Sequence, residues 1–415
     1  MGKNKLTIYI LLAMLGGIVA GIIINKTAGP DTIESVSKNI KLLATIFIRM
    51  VQMIIAPLVF TTLVVGIAKL GDLKSVGRVG GKALAWFITA SLISLLLGMV
   101  VVNFFKPGQG MELGDINPDS VKDVVGNTKG FSLQNFVEHI VPKSVVEAMA
   151  TNEILQLVVF SIFFGIALAG MGEKAQPLIK AFDTIAHVVL KMVGYVMAFA
   201  PLGVFGAITA VIAYRGLDIL IVYGKYFGAF LVGIILLWVV LILAGVFFLG
   251  QRLPDLVKRL YGPMVIAFST TSSEAVFPKL TEELERFGCK DKIVSFILPL
   301  GYSFNLDGSM MYMTFASIFI AQAYGVHLDI GTQLTMLLVL MVSSKGVAGV
   351  PRASLVVVAA TCGMFNIPVE GIALILPIDH FCDMFRSMTN VLGNALATSV
   401  VSKWEGELGQ PVEEI

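Results

Sequence analysis

The chain has 415 residues, of which 56% are hydrophobic and 14% charged, with a formal net charge of +2 and a mean hydropathy of +0.87. Soluble domains carry about a quarter charged residues, so this composition marks an integral membrane protein without a soluble domain of any size. The near-neutral charge gives nucleic acid no reason to bind. Four His and three Cys (Cys289, Cys362 and Cys382, with no C-x-x-C spacing) argue against a metal cage or a disulfide framework.

The N-terminal M-G-K-N-K precedes a first apolar span at residues 6–24. It lacks an A-x-A cleavage site and reads as a retained helix. Further spans are expected at 42–68, kinked by Pro57, and at 83–105. Residues 106–152 are too polar to cross a bilayer in one piece. Apolar runs resume at 154–171, at 178–213 with an interruption near Pro201 and Gly203, and at 219–249. Basic residues cluster at Lys3 and Lys5, at Lys69, Lys74, Arg78 and Lys82, and at Arg252, Lys258 and Arg259. Alternate crossings bring all three clusters to one side, which the positive-inside rule makes cytoplasmic, together with both termini.

The last third behaves differently. The run at 264–277, M-V-I-A-F-S-T-T-S-S-E-A-V-F, is too short to span and holds five consecutive hydroxyl residues, Ser269, Thr270, Thr271, Ser272 and Ser273. The run at 334–360 is broken at S-S-K-G-V-A-G-V-P-R. Irregular backbone at membrane depth is tolerated only inside protein or against a wet cavity, and paired interrupted segments point to a transporter binding site. Each run therefore reads as a re-entrant hairpin, the first entering from the cytoplasm and the second from outside. Full spans at 293–324 and 371–401 follow them. The first of these spans carries G-Y-S-F-N-L-D-G-S at 301–309. Asn305, Asp307 and Ser309 around Gly308 argue for a helix break whose ends and free carbonyls suit ions and substrates, with an ordinary polar kink as the plainer alternative.

The last span carries Asp379, Asp383, Arg386, Asn390 and Asn394, separated by four, three, four and four residues. On a helix these form one stripe. Each charge at bilayer depth costs about 2.5–3.5 kcal/mol. A structural ion pair would need fewer polar groups, so the stripe points to a binding site for a charged solute, with Arg386 suited to a carboxylate. An enzyme is disfavoured: G-x-S-x-G is absent, and Asp379 and His380, adjacent in sequence, face different sides of a helix.

At these motifs the sequence resembles the glutamate/aspartate transporter family, the dicarboxylate/amino acid:cation symporters. The likeness lies in S-S-E-A-V-F-P at 272–278, N-L-D-G-S at 305–309, S-K-G-V-A-G-V-P at 344–351 and D-x-x-x-D-x-x-R-S-x-x-N-V-x-G-N at 379–394, with P-L-V-F-T-T-L-V-V-G-I-A at 57–68. It covers essentially the whole chain and is stronger to the bacterial proton/glutamate symporters than to sodium-coupled members.

The resemblance implies an all-α membrane protein of eight transmembrane helices plus two re-entrant hairpins, forming a homotrimer in the bacterial inner membrane. It implies scaffold helices at 1–82, a transport-domain helix at 83–105, scaffold with a polar extracellular stretch at 106–216, a transport domain at 217–404 and a cytoplasmic tail at 405–415. The mobile part would slide against the scaffold, with the second hairpin as extracellular gate. Arg386, helped by Ser309, would take the substrate's side-chain carboxylate and Asp383 its ammonium. Asn390, Ser272 and Ser273 would hold the α-carboxylate, with Ser387 and the hairpin residues Gly349, Val350 and Pro351 completing the site. Asn305, Asp307, Asn390 and Asn394 match cation positions of sodium-coupled members. Asp379, Glu274, Ser303 and Ser344 join them as coupling candidates. Asp307, Asp383 and Glu274 are the candidate proton carriers, because burial favours the neutral carboxyl.

Four departures bear on coupling and substrate. Asn394 replaces an Asp and Lys345 puts an ammonium in the second hairpin, both favouring protons over Na⁺. Arg352 stands where a small residue is usual, either adding positive potential or facing water, and Met313 replaces a polar residue. An acid at 383, absent from C4-dicarboxylate carriers, favours an amino acid. The expected function is proton-coupled uptake of L-glutamate and L-aspartate, with Na⁺ as the second choice of ion, no cofactor and no enzymatic step. A C4-dicarboxylate symporter of the same fold is the alternative.

Overall fold

Long apolar runs leave the backbone one solution in lipid: hydrogen bonds closed within helices. The computed structural model describes residues 3–70, 73–110, 141–216, 223–344 and 353–412. Among them every named element is helical, and the one isolated bridge joins Cys289 to Leu408. Three long helices come first, α1 (Lys3–Thr27), α2 (Pro30–Leu70) and α3 (Leu73–Phe105). The short α4 (Val145–Ala150) and α5 (Ile154–Gly170) follow, then α6 (Gln176–Met197) and α7 (Ala200–Arg215). The remainder comprises α8 (Gly224–Leu249), α9 (Leu253–Thr270), α10 (Phe277–Phe287), α11 (Asp291–Phe304), α12 (Asp307–Ala323), α13 (Ile330–Ser343), α14 (Ala353–Met364) and α15 (Ile372–Trp404).

Among the described residues, four helical stretches are long and apolar enough to cross a membrane: Ile8–Thr27, Pro30–Ala68, Lys74–Phe105 and Gly224–Thr270, the last running through α8 and α9. The pair α6 and α7, bent by 49°, would make a fifth. The bend falls just before Pro201, which sits in the first turn of α7 where its missing N–H is harmless. Leu12, Leu15, Val19, Phe104, Phe163 and Phe247 are all more than half exposed. Such surfaces are stable against hydrocarbon and not against water.

Helix α2 starts twelve residues before the apolar span expected at 42–68. The added turns, P-D-T-I-E-S-V-S-K-N-I-K, are polar, so hydropathy passes over them. Pro30 suits a first turn and Asp31 meets the positive end of the helix dipole. At 1.5 Å per residue the 41-residue helix is about 60 Å long, twice the hydrocarbon thickness. The helix continues through Pro57, whose carbonyl accepts from Thr61 Oγ1 at 2.8 Å.

Packing sorts the helices into two groups. In the first, α1, α2, α5, α6 and α7 lie together, and glycines set their spacing. A Cβ at Gly21 of α1 would lie 2.7 Å from Ile212 of α7, and one at Gly203 of α7 would lie 2.7 Å from Phe47 of α2. Small residues at helix crossings let backbones approach closely in lipid. In the second group, α12 packs among α3, α8, α13, α14 and α15, while α9 and α10 lie against each other and against α15. The groups meet where α2 and α5 face α11. Helices α13 and α14 also touch, and the connection between them, at 345–352, lies outside the described residues.

The C-terminal tail fastens the second group at one end. Glu405 pairs with Lys82 at 2.7 Å and Arg78 at 3.0 Å, both on α3. Glu407 pairs with Lys292 at 2.6 Å and Lys290 at 2.8 Å, and Gly409 N–H donates to Gly288 O at 2.8 Å. Gly288 has φ +107°, and a side chain there would meet the Gly409 carbonyl.

Candidate functional site

The break between α11 and α12 is built by two residues outside helical geometry, Asn305 (φ −126°, ψ 63°) and Leu306 (φ −100°, ψ 65°). A break leaves the first N–H groups of α12 without intrahelical acceptors. Asn390 of α15 supplies one: its Oδ1 accepts from Gly308 N–H at 2.9 Å and Ser309 N–H at 3.3 Å. Its Nδ2 donates to Ser309 Oγ at 3.1 Å. Gly308 is required because a Cβ would lie 2.6 Å from the Arg386 carbonyl. A Cβ at Gly393 would likewise collide with the Asp307 carboxylate. The polar stripe on α15 is thereby pressed onto the break.

Arg386 sits one turn before Asn390 and is 2% exposed. Its Nη2 pairs with Asp383 Oδ1 at 2.7 Å and its Nε donates to the same oxygen at 3.2 Å. Asp379 Oδ1 lies 3.6 Å from Nη1, and Tyr312 Oη donates to that oxygen at 2.7 Å. The guanidinium carbon stands 4.1 Å above the Tyr312 ring, a cation–π arrangement. Nη1 itself is buried and makes no hydrogen bond among the described residues. A guanidinium donor without a hydrogen bond inside a membrane protein is costly, and an anion could satisfy it. The Asp383 side chain is 29% exposed against 3% for Arg386, so it can meet an incoming cationic group. The Ser387 hydroxyl lies beside it.

One turn further along, Asn305 Nδ2 donates to Asn394 Oδ1 at 3.3 Å and to Asp307 Oδ2 at 3.2 Å. Ser94 of α3 donates to Asp307 Oδ1 at 3.4 Å. Asn305 Oδ1, Asn394 Nδ2 and Ser303 Oγ are buried and lack partners among the described residues. Oxygen donors around one carboxylate are the chemistry of a hard monovalent cation or a proton.

The remaining expected residues are placed less centrally. Helix α9 closes with Thr271 in the left-handed region at φ 53°, where Ser272 N–H returns to Ala267 O at 3.3 Å. Ser272 Oγ then accepts from Ala275 N–H at 3.1 Å, starting the next turn. Ser273 is buried. Phe268 on α9 packs on Phe385, the neighbour of Arg386, with ring centroids 5.0 Å apart, so the serine turn is carried toward the stripe. Glu274 faces the first helix group, with Tyr302 of α11. Ser344 ends α13 with its hydroxyl on Met341 O at 3.1 Å. Gly349, Val350, Pro351, Lys345 and Arg352 lie outside the described residues.

Two residues of the cluster escape a reading of the sequence. Tyr312 follows Ser309 by three residues and shares its helix face, so its position beside the N-L-D-G-S motif was an available signal. Ser94 offers no such signal: it stands in a run of Leu and Ile, and only the packing of α3 on α12 brings it to Asp307.

The sodium:dicarboxylate symporter family matches residues 6–404. The C4-dicarboxylate transport protein of Bacillus subtilis (strain 168) is 39% identical over 414 residues, covering 98% of this chain and 95% of the relative. The proton/sodium-glutamate symport protein of Bacillus caldotenax is 38% identical, covering 99% and 97%. The C4-dicarboxylate transport protein of Acinetobacter baylyi is 40% identical, covering 98% and 92%.

Proposed function

The chain belongs to the sodium:dicarboxylate symporter family, and on that premise we propose that it takes up L-glutamate and L-aspartate together with protons. The observation that carries this reading is the buried Arg386, with one donor unmet beside a partly exposed Asp383. A substrate carboxylate satisfies Nη1, and its ammonium takes the exposed edge of Asp383. A plain diacid would leave that carboxylate facing a second anion. Asn390, already holding the α12 terminus, offers with that terminus a positive dipole end to the α-carboxylate.

Charge counting supports a co-transported cation. Asp379, Asp383 and Arg386 sum to −1 when ionised, and an acidic amino acid adds another −1. Two uncompensated negative charges at this depth are expensive, so a cation travels with the substrate. Asn394 in place of a carboxylate, and Lys345 in the second interrupted segment, favour the proton over Na⁺. The rest of the reading follows the family: eight spans and two re-entrant hairpins, a homotrimer, cytoplasmic termini in an inner membrane, and one helix group sliding against the other.

The second reading is C4-dicarboxylate import, favoured by the names of two of the relatives above. Uptake of labelled glutamate into proteoliposomes, with and without excess succinate and with imposed H⁺ or Na⁺ gradients, separates them. Accumulation of glutamate driven by a pH gradient in sodium-free buffer is expected. Succinate uptake without glutamate uptake would replace the amino-acid reading, and strict Na⁺ dependence would replace the proton.

A further inference from the structure

The boundary between the two helix groups holds an acidic side chain that the substrate site leaves unused. Glu274 stands in the turn between α9 and α10, and a small cavity lies against it. That cavity is lined by Ile55 and Val59 of α2, Phe277 of α10, and Pro299 and Tyr302 of α11. Tyr302 is 5% exposed, and its hydroxyl has no hydrogen-bond partner among the described residues. The titratable groups facing Glu274 are Tyr302 and Glu153, which opens α5 in the other helix group. The α2 face is aliphatic, and the turn that carries Glu274 offers the Ser272 and Ser273 hydroxyls beside it. No Lys, Arg or His among the described residues compensates a charge on Glu274.

An ionised carboxylate is poorly served here: apolar walls on one side, a second acid on another, and a phenol with nothing to bond. A protonated carboxyl removes the repulsion, and with Tyr302 Oη or one bridging water it satisfies the stranded hydroxyl. We infer that Glu274 and Tyr302 form a proton site, separate from the Arg386 cluster, that fills and empties as the two helix groups shift against each other. This rests on the proton-symport reading given above. The proton comes from water on the loading side, binds one Glu274 carboxylate oxygen, crosses as the neutral acid and returns to water on the other side. Only that O–H bond forms and breaks, and the one proton offsets the net negative charge of an acidic amino acid.

The test uses purified full-length protein in liposomes, with labelled glutamate as probe and a pH-sensitive dye inside. Glu274→Gln should lower pH-driven accumulation at least tenfold and abolish substrate-linked proton entry. It should keep exchange of internal for external glutamate at equal pH within about threefold of wild type. Glu274→Asp should restore coupled uptake, and Tyr302→Phe should shift its pH profile while sparing exchange. Undiminished proton entry in Glu274→Gln overturns the assignment, as does loss of exchange in both Glu274 variants, which would make the residue structural. Absence of proton entry in the wild type would instead remove proton symport itself.

Discussion

Tyr312→Phe isolates the one hydroxyl that keeps Arg386 available. The Tyr312 oxygen donates to Asp379 Oδ1 at 2.7 Å, and that same oxygen stands 3.6 Å from Arg386 Nη1. Phe keeps the ring under the guanidinium, so the cation–π contact at 4.1 Å persists. Without the hydroxyl, Asp379 Oδ1 loses that donor, and Nη1, 3.6 Å away, can close on it with a movement of under 1 Å. The donor that the proposed reading gives to the substrate is then occupied. A hydrogen bond to a charged group contributes roughly 1.5–3 kcal/mol, so apparent affinity for glutamate should fall about 10–100-fold at 1.4 kcal/mol per decade. Initial uptake rates in proteoliposomes across a range of glutamate concentrations give the KM, and a thermal melt in detergent checks folding. Asp379→Asn removes the competitor, so the double variant should recover most of the lost affinity, a coupling that a double-mutant cycle reads directly. A Tyr312→Phe protein with wild-type KM, or a double variant whose losses simply add, would refute this account of the hydroxyl.

Arg386→Ala should abolish acidic substrate uptake, and Arg386→Lys should not restore it, because a point charge cannot hold Asp383 and a carboxylate together; transport surviving in either variant would remove Arg386 from the site. Asp383→Ser should weaken glutamate more than succinate in competition assays, since only glutamate brings an ammonium; equal losses would show that the ammonium binds elsewhere. The tail has a pH dependence of known sign. Hydrogen bonds from Lys290, then Lys292, hold the Glu407 carboxyl below its ordinary value of 4.5. The folded value is depressed, so the stabilisation is present above about pH 4.5 and is lost as pH falls through the lower folded value. Protection against amide exchange at 405–412, normalised to the intrinsic rate at each pH, should therefore be high at neutral pH and fall on acidification below that window, and Glu407→Gln should flatten the dependence; a tail whose protection ignores pH in both proteins would show that the two ion pairs do not hold it.

The helical, membrane-embedded character of the chain was legible because hydropathy is a local property that any window of residues displays. The stripe from Asp379 to Asn394 was legible for a related reason: a period of about 3.6 projects spaced polar residues onto one face whatever surrounds them. Polar helix extensions such as the start of α2 were not, since charge patterning there resembles a solvated loop.

The chemistry of the site divides the same way. Residue types along α15 by themselves nominated a guanidinium and carboxylates for a charged solute, because such groups are too costly in lipid to be incidental. Only the folded chain decided which donor is left open. Asn390 turned out to clamp the α12 terminus, Tyr312 to restrain Asp379, and Ser94 to reach Asp307 from another helix. These partners lie 67 to 213 residues apart along the chain, and a hydrogen bond depends on distance and angle in space, quantities that spacing along a sequence does not contain.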